Sequence, residues 1–152
     1  MNVTPVDWQT VRKLEHAGVP RDTLKQMTTM QMIDGALAFY EEMPDDIVLW
    51  HLPTGELSTM HGRAFALGED NLSNAASFAF DCSLHICETP FNWLLDRGRG
   101  VVVLDWSRAF DRLRNAPRLA IAEPLLPTYR SAMKPKFMPE LFVLTNDVRF
   151  AA

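Results

Sequence analysis

The stretch LHICETPFNWLLDRG, residues 84–98, has the pattern of a short β-strand followed at once by an α-helix. Its first four residues form an apolar run, Pro90 suits a helix start, and Gly98 suits a helix stop. The succession recurs downstream, where the apolar runs 101–104 and 119–122 precede the amphipathic stretches 107–114 and 124–133, and the run 140–145 comes last. Such alternation favours a parallel sheet with right-handed crossovers. We therefore predict a βαβαβαβ unit with a mainly parallel sheet over residues 79–146.

Upstream of this unit, the sequence predicts a helical pair and then antiparallel strands. In residues 1–30, Thr4 suits an N-cap, Pro5 a first helical position and Gly18 a helix stop, with a second helix from Pro20 or Arg21. Residues 35–78 are expected to form a meander and a loop, because β-forming runs at 46–51 and 57–60 flank a Pro/Gly turn. The run 36–40 fits a strand or a helix, and we favour a strand. The predicted fold class is α/β with an α+β N-terminal part, as one domain over residues 1–152.

The two cysteines of the chain, Cys82 and Cys87, lie in and just before the first strand of the βα unit, with His85 between them. A metal site would need these side chains to converge on one ion. In a strand, His85 and Cys87 share a face and Cys82 points to the other. We therefore expect a core strand, with no structural metal and no disulfide between the two cysteines.

Composition indicates an ordinary globular chain. Of 152 residues, 47% are hydrophobic and 22% are charged, which allows a sizeable core and disfavours disorder. No apolar run approaches the roughly 20 residues that span a bilayer, and the N-terminus lacks the features of a signal peptide. We expect a cytoplasmic protein with no membrane association. Residues 1–96 carry a net charge of −9 and residues 97–152 a net charge of +5, so the halves either neutralise each other or mark a basic, nucleic-acid-facing half.

Three acids each follow a predicted strand of the βα unit: Glu88, Asp105 and Glu123. In open α/β sheets, ligands bind beyond the carboxyl ends of the strands, and carboxylates there could hold Mg²⁺. Acids in these positions also cap helix N-termini, and we favour that role. A βα sheet with strand-end acids is similar in architecture to the toprim domains of primases and topoisomerases. That resemblance implies a Mg²⁺-dependent nucleic-acid enzyme, although the Asp-x-Asp triplet of toprim domains does not occur in residues 79–146.

Residues 11–27 resemble a helix-turn-helix, in which a glycine opens the turn and the second helix offers its N-terminal side chains to DNA. The candidate DNA-contacting residues there are Arg21, Thr23 and Lys25. Two packed helices with a glycine turn explain the pattern without DNA. Arg108 and Arg112 are four residues apart on one helix face, and they are further candidates for contact with nucleic acid or for surface ion pairs.

No convergent catalytic set is recognisable in the sequence. We therefore predict a small, non-catalytic accessory module that binds a macromolecular partner and needs no cofactor. A protein partner is expected ahead of a nucleic acid. The two alternatives are a helix-turn-helix DNA-binding protein that uses residues 11–27 and a Mg²⁺-dependent, toprim-like enzyme that uses Glu88, Asp105 and Glu123.

Overall fold

A five-stranded antiparallel sheet dominates the computed structural model, which describes residues 1–135, 137 and 139–144. Each strand pairs with the next one in chain order. The last three strands confirm the predicted meander, and the strand at the N-terminus was not predicted. The strands are β1 (Val3–Pro5), β2 (Gln31–Ile33), β3 (Ala36–Glu41), β4 (Asp46–His51) and β5 (Glu56–Thr59).

One face of this sheet carries the larger hydrophobic core. The register aligns one residue from each strand in a single row across that face, namely Thr4, Met32, Leu37, Trp50 and Leu57. In β4 the buried positions alternate with half-buried ones, as expected for a strand with one covered face. Val11, Leu14 and Leu24, from the two N-terminal helices, pack into this core together with Trp93 and Leu94.

The predicted helical pair is present, but its first helix begins later than expected. Helix α1 (Trp8–His16) has Asp7 as its N-cap, whose side chain accepts a hydrogen bond from Thr10 N–H at 2.8 Å. The prediction that Thr4 is the N-cap is wrong, because Val3–Pro5 pairs with β2 instead. Helix α2 (Arg21–Met27) begins where the sequence indicated, after a turn in which Gly18 has a φ of 106°.

The C-terminal region contains the predicted alternation of short strands and helices. Strand β7 (Leu84–Ile86) pairs in parallel with β9 (Leu119–Ile121), and Ile86 bridges in parallel to Val101. Strand β8 (Val102–Val103) pairs antiparallel with β6 (Ala66–Leu67). These elements enclose a second core that includes Phe65, Leu84 and Leu113. The elements are β6 (Ala66–Leu67), β7 (Leu84–Ile86), α3 (Pro90–Leu95), β8 (Val102–Val103), α4 (Ala109–Leu113), β9 (Leu119–Ile121) and α5 (Leu126–Ala132), together with 3₁₀ helices at Glu69–Leu72, Ala75–Asp81, Trp106–Arg108 and Glu123–Leu125.

The closing strand of the predicted βαβαβαβ unit is not confirmed. Residues 140–144 are exposed and form neither helix nor strand, and Thr145 lies outside the described residues. Parallel pairing is limited to β7, β9 and the Ile86–Val101 bridge, so the chain is broadly α+β rather than built on a mainly parallel sheet. The division of residues 1–152 into a single domain stays a prediction. Within the described part of the chain, no helix is long and apolar enough to cross a membrane.

Candidate functional site

The three strand-end acids follow their strands as predicted. Glu88 and Glu123 are exposed, whereas Asp105 is half-buried and its side chain accepts a hydrogen bond from Ser107 N–H at 3.0 Å. Asp105 therefore caps the 3₁₀ helix that follows it, as expected of an acid at this position. Among the described residues, no group of three His, Cys, Asp or Glu side chains could hold a metal ion. A role for these acids in Mg²⁺ binding stays a prediction.

The candidate DNA-contacting residues of α2 have different environments. Thr23 is buried, and Lys25 is exposed. The guanidinium of Arg21 donates to both carboxylate oxygens of Glu15, at 2.8 and 3.2 Å, and lies 4.4 Å from the centre of the Trp8 ring. Arg21 and Thr23 thus both serve the packing of the helical pair.

The two arginines predicted on one helix face also make contacts within the protein. Arg108 donates to the backbone carbonyl of Arg63 at 3.0 Å. Arg112 pairs with the carboxylate of Glu69 and lies over the ring of Phe65. Glu69 is only 3% exposed, so the ion pair with Arg112 compensates the negative charge of a buried carboxylate.

The cysteine-containing stretch forms a strand rather than a metal site. Leu84 and Ile86 point inward from β7, whereas His85 points outward. Cys82 is exposed, Cys87 is buried, and both are free thiols. Burial raises the pKa of Cys87 to about 11, with a further contribution from the negative charge of Asp96, so this thiol stays protonated as a core side chain.

A polar pocket of about 390 Å³ lies on the outward side of β7. Asp96 contacts two other residues of the pocket: its Oδ2 lies 2.8 Å from His85 Nδ1, and its Oδ1 lies 3.5 Å from an Arg99 guanidinium nitrogen. Hydroxyl, amide and thiol groups complete the wall, from residues that include Asn71, Asn74, Ser77, Cys82 and Ser83. The sequence predicts His85 on a strand, but no local pattern pairs His85 with Asp96, the C-cap residue of α3.

A second, larger concavity is an apolar groove of about 740 Å³ between the core face of the antiparallel sheet, α1 and α3. Its apolar wall includes Leu14, Met32, Trp50, Leu52 and Phe91. Thr4, Pro5, Asp7, Thr10, Lys13, Gly35 and Pro53 complete the lining. The volume lies within the roughly 300–1,000 Å³ range of ligand pockets in proteins.

Three buried acids, which the sequence analysis missed, organise the segment 61–69. Asp46 accepts hydrogen bonds from the backbone N–H groups of His61, Arg63 and Ala64 at 2.7–2.9 Å. Glu69 accepts from Phe65 N–H at 2.8 Å. Glu41 accepts from Gly68 N–H at 2.6 Å and from Glu69 N–H at 3.2 Å. Carboxylates at the β3–β4 turn thus hold the loop that leads into the polar pocket.

No model of a protein family, no curated protein and no solved structure shows significant similarity to this chain.

Proposed function

We propose that this protein is a non-catalytic accessory module that binds a protein partner. The apolar groove receives a short segment of that partner, one that carries apolar side chains and a single carboxylate. The observation that supports this proposal is the combination, in one groove, of an apolar wall with the exposed cation Lys13.

The apolar wall supports binding because some of its side chains, Met32 among them, are only half-buried in the folded protein. Trp50 and Met32 belong to the cross-strand row that the helices cover elsewhere, and both line the groove. Leu52 and Phe91 are half-buried at its sides. Apolar side chains of a partner would remove this surface from water, which is the main driving force of protein association.

Charge supports the choice of a partner segment with one carboxylate. Among the residues that the structure describes, no acid lies within ion-pair distance of Lys13. Asp7, the other charged residue of the groove, accepts hydrogen bonds from Thr10 N–H and the Thr10 hydroxyl at 2.8 and 2.7 Å. Residues 1–96 carry a net charge of −9, so a segment with several acids would be repelled.

Selection from a display library of random 12-residue peptides tests this proposal. We expect the enriched peptides to combine apolar residues with one Asp or Glu. A synthetic copy of the most enriched peptide is then titrated against wild type, Lys13→Glu and Phe91→Ala. Each substitution should weaken binding about tenfold, because it removes a charge partner or an apolar contact.

Lys25→Glu is the matched control for Lys13→Glu. It makes the same charge change at an exposed position of the neighbouring helix, outside the groove. We expect it to bind the peptide within about twofold of wild type, allowing for long-range electrostatics. The proposal fails if no peptide is enriched, or if Lys13→Glu and Lys25→Glu bind equally well.

The two alternatives predict different behaviour with nucleic acids. DNA binding by residues 11–27 has the order helix, turn, helix in its favour. Thr23 is buried and Arg21 donates to Glu15, which leaves few groups for bases. Retention on a mixed pool of duplex and single-stranded DNA that weakens steeply with salt would favour DNA binding over our proposal. Calorimetric Mg²⁺ titration of wild type and Asp105→Ala tests the enzymatic alternative.

A further inference from the structure

We propose that the polar pocket on the outward side of β7 is an oxyanion-binding site that takes a phosphate monoester. Arg99 and the imidazole of His85 contact the anion, and Asp96 is the positioning residue that holds both. This site is separate from the apolar groove, and it shares no lining residue with it.

The first observation that supports this proposal is that Asp96 is less exposed than His85 and Arg99, the two residues that it contacts. The Asp96 side chain is 22% exposed, against 53% for His85 and 75% for Arg99. Its carboxylate meets His85 Nδ1 with one oxygen and the Arg99 guanidinium with the other, and its backbone carbonyl accepts from Arg99 Nε at 3.2 Å. Arg99 is therefore bent back over Asp96, and its remaining N–H groups are available to a ligand.

The second support is the position of Asp96 itself. It is the C-cap residue of α3, where the negative end of the helix dipole disfavours an acid. The guanidinium of Arg99 and the Nδ1–H group of His85 compensate for this placement. An acid that breaks a local helix rule while it orients two ligand-binding groups is typical of a functional site.

The hydrogen bond between His85 and Asp96 determines which imidazole nitrogen is left for a ligand. A carboxylate only accepts hydrogen bonds, so Nδ1 carries a proton and Nε2 is left for a ligand. When Nε2 is also protonated, it donates to an oxyanion, and the trio of His85, Asp96 and Arg99 has a charge of +1. When Nε2 is unprotonated, the trio is neutral and Nε2 offers a lone pair, which repels an oxyanion.

The remaining groups around His85 suit an anion and leave Asp96 as the one acid of the pocket lining. Ser77, Ser83 and Cys82 offer hydroxyl and thiol donors. Asn74 uses its side-chain oxygen to accept from Ala76 N–H at 3.0 Å, which leaves its NH₂ group as a donor. The adjacent strand β9 places Ala120 opposite His85, and Arg118, just before β9, pairs with Asp81. Cys87 lies on the inward side and is buried.

Titration with phenyl phosphate at pH 6.5, followed by calorimetry and by the ¹⁵N resonances of the histidine side chains, tests the site. We expect saturable binding that shifts the His85 resonances. Arg99→Gln and His85→Gln should each weaken it about tenfold or more, as expected for the loss of a charge-assisted contact. Arg97→Gln, two positions away and outside the pocket lining, is the matched control and should stay within about twofold of wild type.

Sulfate should compete with phenyl phosphate for the site, because both present a tetrahedral oxyanion. Asp96→Asn should change the ¹⁵N signature of His85, because the carboxylate that accepts from Nδ1 is lost. The inference is overturned if phenyl phosphate does not saturate, or if Arg99→Gln and Arg97→Gln bind it equally. Lys13→Glu should leave phosphate binding unchanged, so failure here is distinguishable from failure of the proposed function.

Discussion

Glu41 and Asp46, the buried acids at the two ends of the β3–β4 turn, have pKa shifts of opposite sign. Burial raises the pKa of Glu41 to about 7, partly offset by the hydrogen bond from Gly68 N–H and reinforced by the charges of Asp70 and Asp46. Burial also raises the pKa of Asp46, but hydrogen bonds from Ala64, Arg63, His61 and Ile47 N–H outweigh it, and the net pKa is lowered. The number of donors thus decides which carboxylate is stable when buried.

Stability should therefore fall as the pH rises from about 4.5 to 7. In this window the folded state holds a proton on Glu41 that the unfolded chain has released, so raising the pH favours unfolding. The full loss is up to about 3 kcal/mol, at roughly 1.4 kcal/mol per pKa unit. Asp46 contributes in the opposite sense and only near its own lowered pKa, below this window. Urea denaturation at half-unit pH intervals measures the slope.

Two variants separate Glu41 from the other titrating groups in that measurement. Glu41→Gln removes the proton equilibrium, so its free energy of unfolding should change less with pH than that of wild type. Glu42→Gln removes an acid at the exposed neighbouring position, and it should keep the wild-type slope. A Glu41→Gln slope equal to that of wild type would show that the carboxyl is ionised in the folded protein at these pH values.

The sequence contains a residue-scale signal for both buried acids. Side chains two apart on a strand share a face, so Glu41 shares one with Leu37 and Phe39, and Asp46 shares one with Val48 and Trp50. A period-two count would thus have placed both carboxylates on the core face. Most of their partners could not be predicted, because every backbone N–H donor named here except that of Ile47 comes from a position 15 to 28 residues away.

At the scale of elements, local sequence patterns predicted which helices and strands exist, and in what order, better than they predicted where these elements end and which strands pair. Hydrophobic periodicity and the positions of proline and glycine correctly located six elements, namely α2, α3, β3, β4, β5 and β7. Strand β1 was missed because its three residues carry the same Thr-Pro signal that suits a helix start. The pairing of His85 with Asp96 depends on how α3 packs beside β7, and no local pattern encodes that.

The loop that enters the 3₁₀ helix Glu69–Leu72 should tolerate no side chain at Gly68. Its φ of 77° favours glycine, and a Cβ there would lie 2.6 Å from the Gly100 carbonyl oxygen and 2.8 Å from Trp93 Nε1. Gly68→Ala should cost about 3 kcal/mol, from roughly 1 kcal/mol for the left-handed backbone and the rest for overpacking. Chemical denaturation measures the loss.

Gly55→Ala is the matched control for Gly68→Ala. Gly55 has a similar φ of 74°, but a Cβ there would meet nothing within 4 Å. Its cost should therefore be the backbone part alone, about 1 kcal/mol. Equal losses for the two variants would contradict the close approach of Gly68 to Gly100 and Trp93.

At the scale of the whole molecule, the acidic and basic halves of the sequence meet through specific pairs. Glu69 with Arg112, Asp81 with Arg118 and Asp96 with Arg99 each join an acid from residues 1–96 to an arginine from residues 97–152. These contacts support internal neutralisation, the first of the two explanations for the charge asymmetry. The charge asymmetry of the sequence could not show which ion pair stabilises the protein most, because the contribution of each pair depends on its burial.

Burial predicts that the first two of these pairs contribute very differently to stability. Arg112→Met leaves the carboxylate of Glu69, 3% exposed, without its cation and should cost about 3 kcal/mol or more. Arg118→Met breaks a pair whose acid is 94% exposed, and it should cost less than about 1 kcal/mol. Glu69→Gln combined with Arg112→Met should recover much of the loss, because no buried charge is left unpaired. Urea denaturation of the four proteins, wild type included, measures these differences, and similar losses for Arg112→Met and Arg118→Met would place both pairs in solvent.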